Sequence, residues 1–183
     1  ESLITVGCES FLLSSIKHFT APGLTDIYES GFDHSSLIYI YAPNLKYVED
    51  YGLCGVKVNT IDFPKLEYAG NAAFAGNYNL NLANIPLLNT LSFASFEECR
   101  TLRKVSAPSL TTIGSQVFSL CYWLTVIEFP NLTEIICDFS HATYAPFEQC
   151  INLAEIDFPN LIKINTRFGC FKNCYSLKKV NMK

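Results

Sequence analysis

Charge is scarce in this chain. Of its 183 residues only 16% are Asp, Glu, Lys or Arg, against about a quarter in an ordinary globular domain. Thirteen basic and 17 acidic residues leave a net charge of −4. No nucleic-acid partner is therefore expected, since such partners are gripped by basic surfaces. Disorder is excluded as well, because it needs few apolar residues and 49% of this chain is apolar. No apolar run approaches the roughly 18 residues of a membrane-spanning helix, so none is expected here. The chain has one Met, one Trp and three His, and its nine glycines are scattered singly. That leaves no phosphate-cradling loop, and no G-x-S-x-G turn occurs either. His18, His34 and His141 lie far apart in sequence. A Cys–His pair meeting in space stays open, but no enzyme activity and no cofactor are expected. The chain lacks an initiator Met and a signal peptide, so Glu1 reads as a processed or engineered start.

What the chain does have is a period. Seven of its eight prolines fall on one grid: Pro22, Pro43, Pro64, Pro86, Pro108, Pro130 and Pro159. Their spacings are 21, 21, 22, 22, 22 and 29 residues, and a leucine follows each two positions later, from Leu24 to Leu161. Glu1 and Leu3 occupy the same slots one period earlier, so the grid holds eight units: 1–21, 22–42, 43–63, 64–85, 86–107, 108–129, 130–158 and 159–183. Further columns run in phase. One is apolar (Val6, Ile27, Val48, Ala69, Leu91, Ile113, Ile135, Ile164). Another is aromatic (Phe11, Phe32, Phe74, Phe96, Phe118, Phe147, Phe171), with Leu53 as its one exception.

Units of this size cannot bury their own apolar faces, so neighbours must stack and share a core in a single solenoid domain. The segment before each proline alternates, as in Leu153-Ala154-Glu155-Ile156-Asp157-Phe158-Pro159, which is the pattern of a short strand with one face inward. Proline ends it because it cannot donate to a ladder. Stacked copies make a parallel sheet of eight strands, roughly 34 Å wide at about 4.8 Å per strand. The Phe-x-x-Cys stretch falls on the opposite side, as irregular turns or short helical pieces.

At these columns the chain resembles the BspA-like leucine-rich repeat family. The match is carried by Leu102-x-x-Val105-x-Ala107-Pro108-x-Leu110-x-x-Ile113 followed by Phe118-x-x-Cys121-x-x-Leu124, and by Phe147-x-x-Cys150-x-x-Leu153 and Phe171-x-x-Cys174-x-x-Leu177. The first three units depart from it, being one residue short and lacking the cysteine. The resemblance implies a leucine-rich repeat solenoid, an arc of about eight coils with a parallel sheet on its concave face. It also implies a surface-exposed or secreted protein that binds host or microbial partners.

Of eight cysteines, Cys99, Cys121, Cys150 and Cys174 share one column, three residues after Phe. Its other members include Asn77, Val56 and Ser35, so the slot reads as a place for a small buried side chain. A disulfide between rungs would need unusual Cβ geometry. Cys8, Cys54, Cys137 and Cys170 lie off the column, and Cys137-x3-His141 is too loose to carry a zinc reading. No metal site is expected. Asn131-Leu132-Thr133 matches a glycosylation sequon but coincides with the repeat consensus.

The outward strand positions define the candidate binding face. His18, Thr20, Tyr39 and Tyr41 cluster near the first strands, and outward tyrosines recur at interfaces, although aromatics also simply favour strands. Asp62 lies on the next rung. Glu128, Glu155 and Asp157 form an acidic patch suited to a cation or a basic partner, or else a plain solvated face. The seventh unit is seven residues longer than its neighbours, and Asp138, His141 and Tyr144 sit in that insertion loop. The leading reading is a non-catalytic, adhesin-like module binding protein or glycan through the concave sheet. A structural spacer, or a substrate-docking arm of a larger surface protein or enzyme, remains the alternative. Terminal units without polar caps lead to the further expectation of end-to-end self-association.

Overall fold

The computed structural model describes residues 2–137, 145–166 and 169–182. Seven proline turns explain how each coil bends. In Ala21-Pro22-Gly23-Leu24 the Leu24 N–H donates to the Ala21 carbonyl at 3.0 Å, and the same bond recurs from Leu45 to Ala42 and on to Leu161 and Phe158. Proline stands at the second position of the turn, where its fixed φ suits the backbone and its missing N–H leaves no bond unmade. The leucine two residues later closes the turn and drops into the core, buried at every coil from Leu24 to Leu161.

A strand therefore stands on each side of the proline, and the strands form two parallel ribbons. Before the proline come β2 (His18–Thr20), β4 (Tyr39–Tyr41), β6 (Thr60–Asp62), β8 (Leu82–Asn84), β10 (Lys104–Ser106), β12 (Val126–Glu128), β14 (Glu155–Asp157) and β16 (Lys179–Asn181). After it come β1 (Thr5–Val6), β3 (Asp26–Ile27), β5 (Tyr47–Val48), β7 (Tyr68–Ala69), β9 (Thr90–Leu91), β11 (Thr112–Ile113), β13 (Glu134–Ile136) and β15 (Lys163–Asn165). The first ribbon is the sheet expected from sequence. The second was not expected, because its strands, most of them two residues long, are too short to show a period of two.

Neither ribbon is continuous. The first is interrupted between β4 and β6 and between β12 and β14, the second between β7 and β9. At each interruption the other ribbon stays paired: β3 with β5, β11 with β13, and β8 with β10. Neighbouring coils thus splay on one side while hinged on the other. The breaks in the first ribbon fall at bulky rings in the column just before proline. Ala21 and Ala42 give way to Phe63 at one. At the other, Phe129 and Phe158 lie ring to ring with centroids 6.3 Å apart, wider than the rung spacing of about 4.8 Å.

The far side of each coil is turn, not helix, and no helix occurs among the described residues. Backbone bonding shows why. Successive N–H groups alternate between their own turn and the next coil: Asp33 donates to Ser30 O, but Phe32 to Gly52 O and His34 to Cys54 O. A helix needs every N–H for its own chain segment. Two left-handed residues four apart carry the double turn in each of the first six coils, including Ser30 and His34, Tyr51 and Gly55, and Ala72 and Gly76. Between them the phenylalanines point inward and stack, with Phe74–Phe96 at 5.1 Å and Phe118–Phe147 at 5.3 Å between centroids.

Candidate functional site

Alternation places Tyr39 and Tyr41 on the outer face of β4, and Ile40 turns inward to pack against the core. Both rings are half exposed, at 51% and 46%, which is the expected geometry. The register is also as read from the grid: His18 pairs with Tyr39, and Thr20 with Tyr41. His18 meets the Tyr39 ring edge-on at 6.4 Å.

The interruption after β4 turns this row into a cleft. About 370 Å³ opens between Tyr39 and Tyr41 on one wall and Asn59, Thr60 and Asp62 on the other. His18 and Thr20 stand one rung back, outside it. Asp62 is exposed and accepts a hydrogen bond from Asn84 Nδ2 at 2.8 Å. At the second interruption Glu155 and Asp157 line a smaller cleft of about 270 Å³ with Val126, Lys179 and Asn181. Its acids are already partnered along the ribbon: Lys179 lies 3.3 Å from Glu155, and Asn181 Nδ2 donates to Asp157 at 2.6 Å. Glu128 is outside this cleft and pairs with Lys104 at 2.6 Å. Hydrogen bonds from Lys104 and then Ser106 hold its carboxyl below the usual range. Glu128 and Glu155 are thus each paired with a lysine, while Asp157 keeps its charge beside a neutral amide. Asp138, His141 and Tyr144 lie outside the described residues.

Two clusters escaped the sequence reading. A cleft of about 630 Å³ lies over the second ribbon and combines Tyr28, Tyr47 and Tyr68 with Asp26, Glu29, Glu49 and Asp50. Its signal in the sequence was the outward row beginning Thr5, Asp26, Tyr47, Tyr68, hidden while that strand went unrecognised. Asp50 is engaged by Asn71, whose N–H reaches Oδ1 at 2.7 Å. The other cluster joins Asp33, His34 and Cys54 across two turns.

All eight cysteines are free. The column residues do more than fill space, which revises the sequence reading of that slot. Each thiol donates to the carbonyl of the phenylalanine one coil back: Cys99 to Phe74, Cys121 to Phe96 and Cys150 to Phe118 at 3.1 Å, and Cys174 to Phe147 at 3.0 Å. Asn77 Nδ2 makes the same bond to Leu53 O. Burial raises these thiols far above the ordinary range. Cys54 is pushed up to about 12, first by burial and then by the Asp33 carboxylate beside it. Asn131 Nδ2 is bonded to Pro108 O at 2.8 Å, which supports the consensus reading of its sequon.

Fold and columns together define a leucine-rich repeat solenoid. The profile of the BspA type leucine rich repeat region matches in six copies, over residues 4–125 and 89–183. The chain belongs to that family. It is similar in structure to a leucine-rich repeat protein from Bacteroides ovatus ATCC 8483, at 17% identity and a TM-score of 0.59, over 99% of this chain and 64% of that one. A leucine rich cell surface protein from Faecalibacterium prausnitzii A2-165 matches at 19% identity and a TM-score of 0.47, over 98% of this chain and 69% of that one. At 17% identity the likeness to the Bacteroides ovatus protein shows the fold alone. The chain spans under two thirds of the length of the Bacteroides ovatus protein. No curated protein matches it.

Proposed function

We propose that the chain is a non-catalytic interaction module of a cell-surface or secreted protein, binding protein or glycan through the first ribbon at Tyr39, Tyr41 and Asp62. The observation that carries this reading is the cleft where β4 and β6 part. There two half-exposed rings stand on a packed strand opposite Thr60 and Asp62. Flat apolar ring faces beside hydroxyl and carboxylate groups suit a sugar or a peptide side chain. The surface location rests on the family resemblance.

The tyrosine-rich acidic cleft on the second ribbon supports a protein partner presenting Lys or Arg as a second reading. Its rings and carboxylates match a cationic side chain by charge and by cation–π attraction. An array of oligosaccharides and extracellular glycoproteins separates the two. Changing Tyr39 and Tyr41 together to Ala abolishes binding on the first reading and leaves the melting temperature nearly unchanged. Retained binding, or a large loss of stability, sinks it. Loss of binding on changing Tyr47 and Tyr68 to Ala instead supports the second.

A further inference from the structure

On the turn side of the second and third coils, three side chains that share no sequence motif converge. Asp33 and His34 follow Phe32, and Cys54 follows Leu53 one coil later. A carboxylate oxygen, a ring nitrogen and a thiol sulfur, one from each, all lie within 4.8 Å of one another. The solenoid itself holds them in register, because the His34 N–H donates to the Cys54 carbonyl at 2.8 Å. Asp33 Oδ1, 2.6 Å from His34 Nδ1, orients the ring.

The backbone makes room for this arrangement. The second left-handed position of each turn carries a side chain at Leu13, His34, Glu98 and Leu120, but glycine at Gly55 and Gly76. A Cβ at Gly55 would stand 2.9 Å from Cγ and Cδ2 of the His34 ring. Only glycine lets the imidazole lie over that turn beside Cys54. Ala75, next in the row after Cys54, is also small and packs with Cys54, Ala72 and Ala94 in one small buried cluster.

We propose that Asp33, His34 and Cys54 bind a borderline-soft divalent cation of the zinc class, with water completing the coordination. Tetrahedral bonds of about 2.0–2.3 Å place ligand atoms roughly 3.3–3.8 Å apart. Side-chain rotation within the present cluster reaches that range. Thiolate, imidazole and carboxylate together select zinc-like ions over magnesium or calcium, which prefer oxygen alone. The thiolate and the carboxylate balance the two positive charges, and the thiol proton passes to solvent on binding. Three protein ligands leave one position open.

The test uses the full chain carrying Cys8→Ser, since Cys8 is the one exposed thiol. Calorimetric titration with Zn²⁺ gives one ion per chain at micromolar protein. Co²⁺ gives visible bands of a four-coordinate site and a near-ultraviolet thiolate band. His34 is exposed, so His34→Ala folds normally, weakens binding by at least about tenfold and removes the rise in melting temperature that Zn²⁺ confers on the parent. Cys54→Ala abolishes the thiolate band, and Asp33→Asn weakens binding. Absence of stoichiometric Zn²⁺ binding overturns the proposal. So does a thiolate band that survives Cys54→Ala, or binding unchanged in His34→Ala.

Discussion

At the scale of single residues, the cysteine column shows how one atom type serves two needs. Each sulfur fills core volume and also donates weakly to a carbonyl one coil away. Serine is a poor substitute, because its shorter arm misses that carbonyl. Ser35, in the same column, is buried with no partner for its hydroxyl. Cys121→Ser is therefore expected to cost about 1–3 kcal/mol, at least as much as Cys121→Ala, since it leaves a buried polar group unpaired; urea unfolding of both variants measures the difference. Thiol chemistry follows from the same burial. At about pH 8 an alkylating reagent modifies Cys8 in the native chain and all eight thiols after denaturation, because the thiolate is the reactive form; mass spectrometry counts the adducts. Below the ordinary thiol value of 9.0, folded and unfolded chains both keep these protons. Above it the unfolded chain loses them, while folded Cys54 holds its own up to about 12. Unfolding then releases protons, so stability falls as pH rises through that window. Melting curves at roughly pH 8 and pH 10 check the sign.

At the scale of elements, the phenylalanine stack and the ribbons impose different spacings. Rings in the stack lie 4.8 to 5.7 Å apart where they are adjacent, as in Phe11–Phe32 and Phe96–Phe118. The breaks in the first ribbon fall where a second ring enters from the pre-proline column. Phe96→Ala removes a fully buried ring with neighbours on both sides and is expected to cost about 3–5 kcal/mol. Phe96→Leu costs less, because Leu53 already fills the same slot, buried at 1% exposure. Chemical denaturation of the two variants orders them. Phe63→Ala, which restores the small residue of the two preceding coils, is expected to let β4 and β6 draw together and narrow the Tyr39–Tyr41 cleft. A crystal structure of that variant, with the β4–β6 ladder paired or still parted, decides it.

Over the whole molecule, each coil touches only its neighbours, so stability is a sum of coil and interface contributions. Removing residues 86–107, one full period, is expected to leave a folded, shorter solenoid with a lower melting temperature. Phe74 would then face Phe118, and Cys121 would face Phe74 O. A circular dichroism spectrum of unfolded chain would refute this. The terminal coils leave apolar side chains in water, with Leu3 and Ile4 at one end and Ile162, Ile164 and Val180 at the other. This chain is accordingly expected to associate end to end as its concentration rises, and sedimentation velocity detects it as a concentration-dependent increase in size.

Legible from the residues alone were the number of coils, the inward Leu and Phe columns, the end of a strand at each proline and the outward face of Tyr39 and Tyr41. Those features depend on neighbours in the chain or on residues one period away, and repetition writes both into the spacing. Tertiary structure alone decided the rest. The second ribbon has strands too short for periodicity to mark, and it brought the Tyr47–Tyr68 cleft with it. The clefts in the first ribbon fall where Phe63 and the Phe129–Phe158 pair enter the pre-proline column, a matter of volumes meeting in three dimensions. The thiol-to-carbonyl bonds and the meeting of Asp33, His34 and Cys54 join atoms of different coils. Their distances are set by how left-handed turns and glycines steer each side chain, which residue spacing does not record.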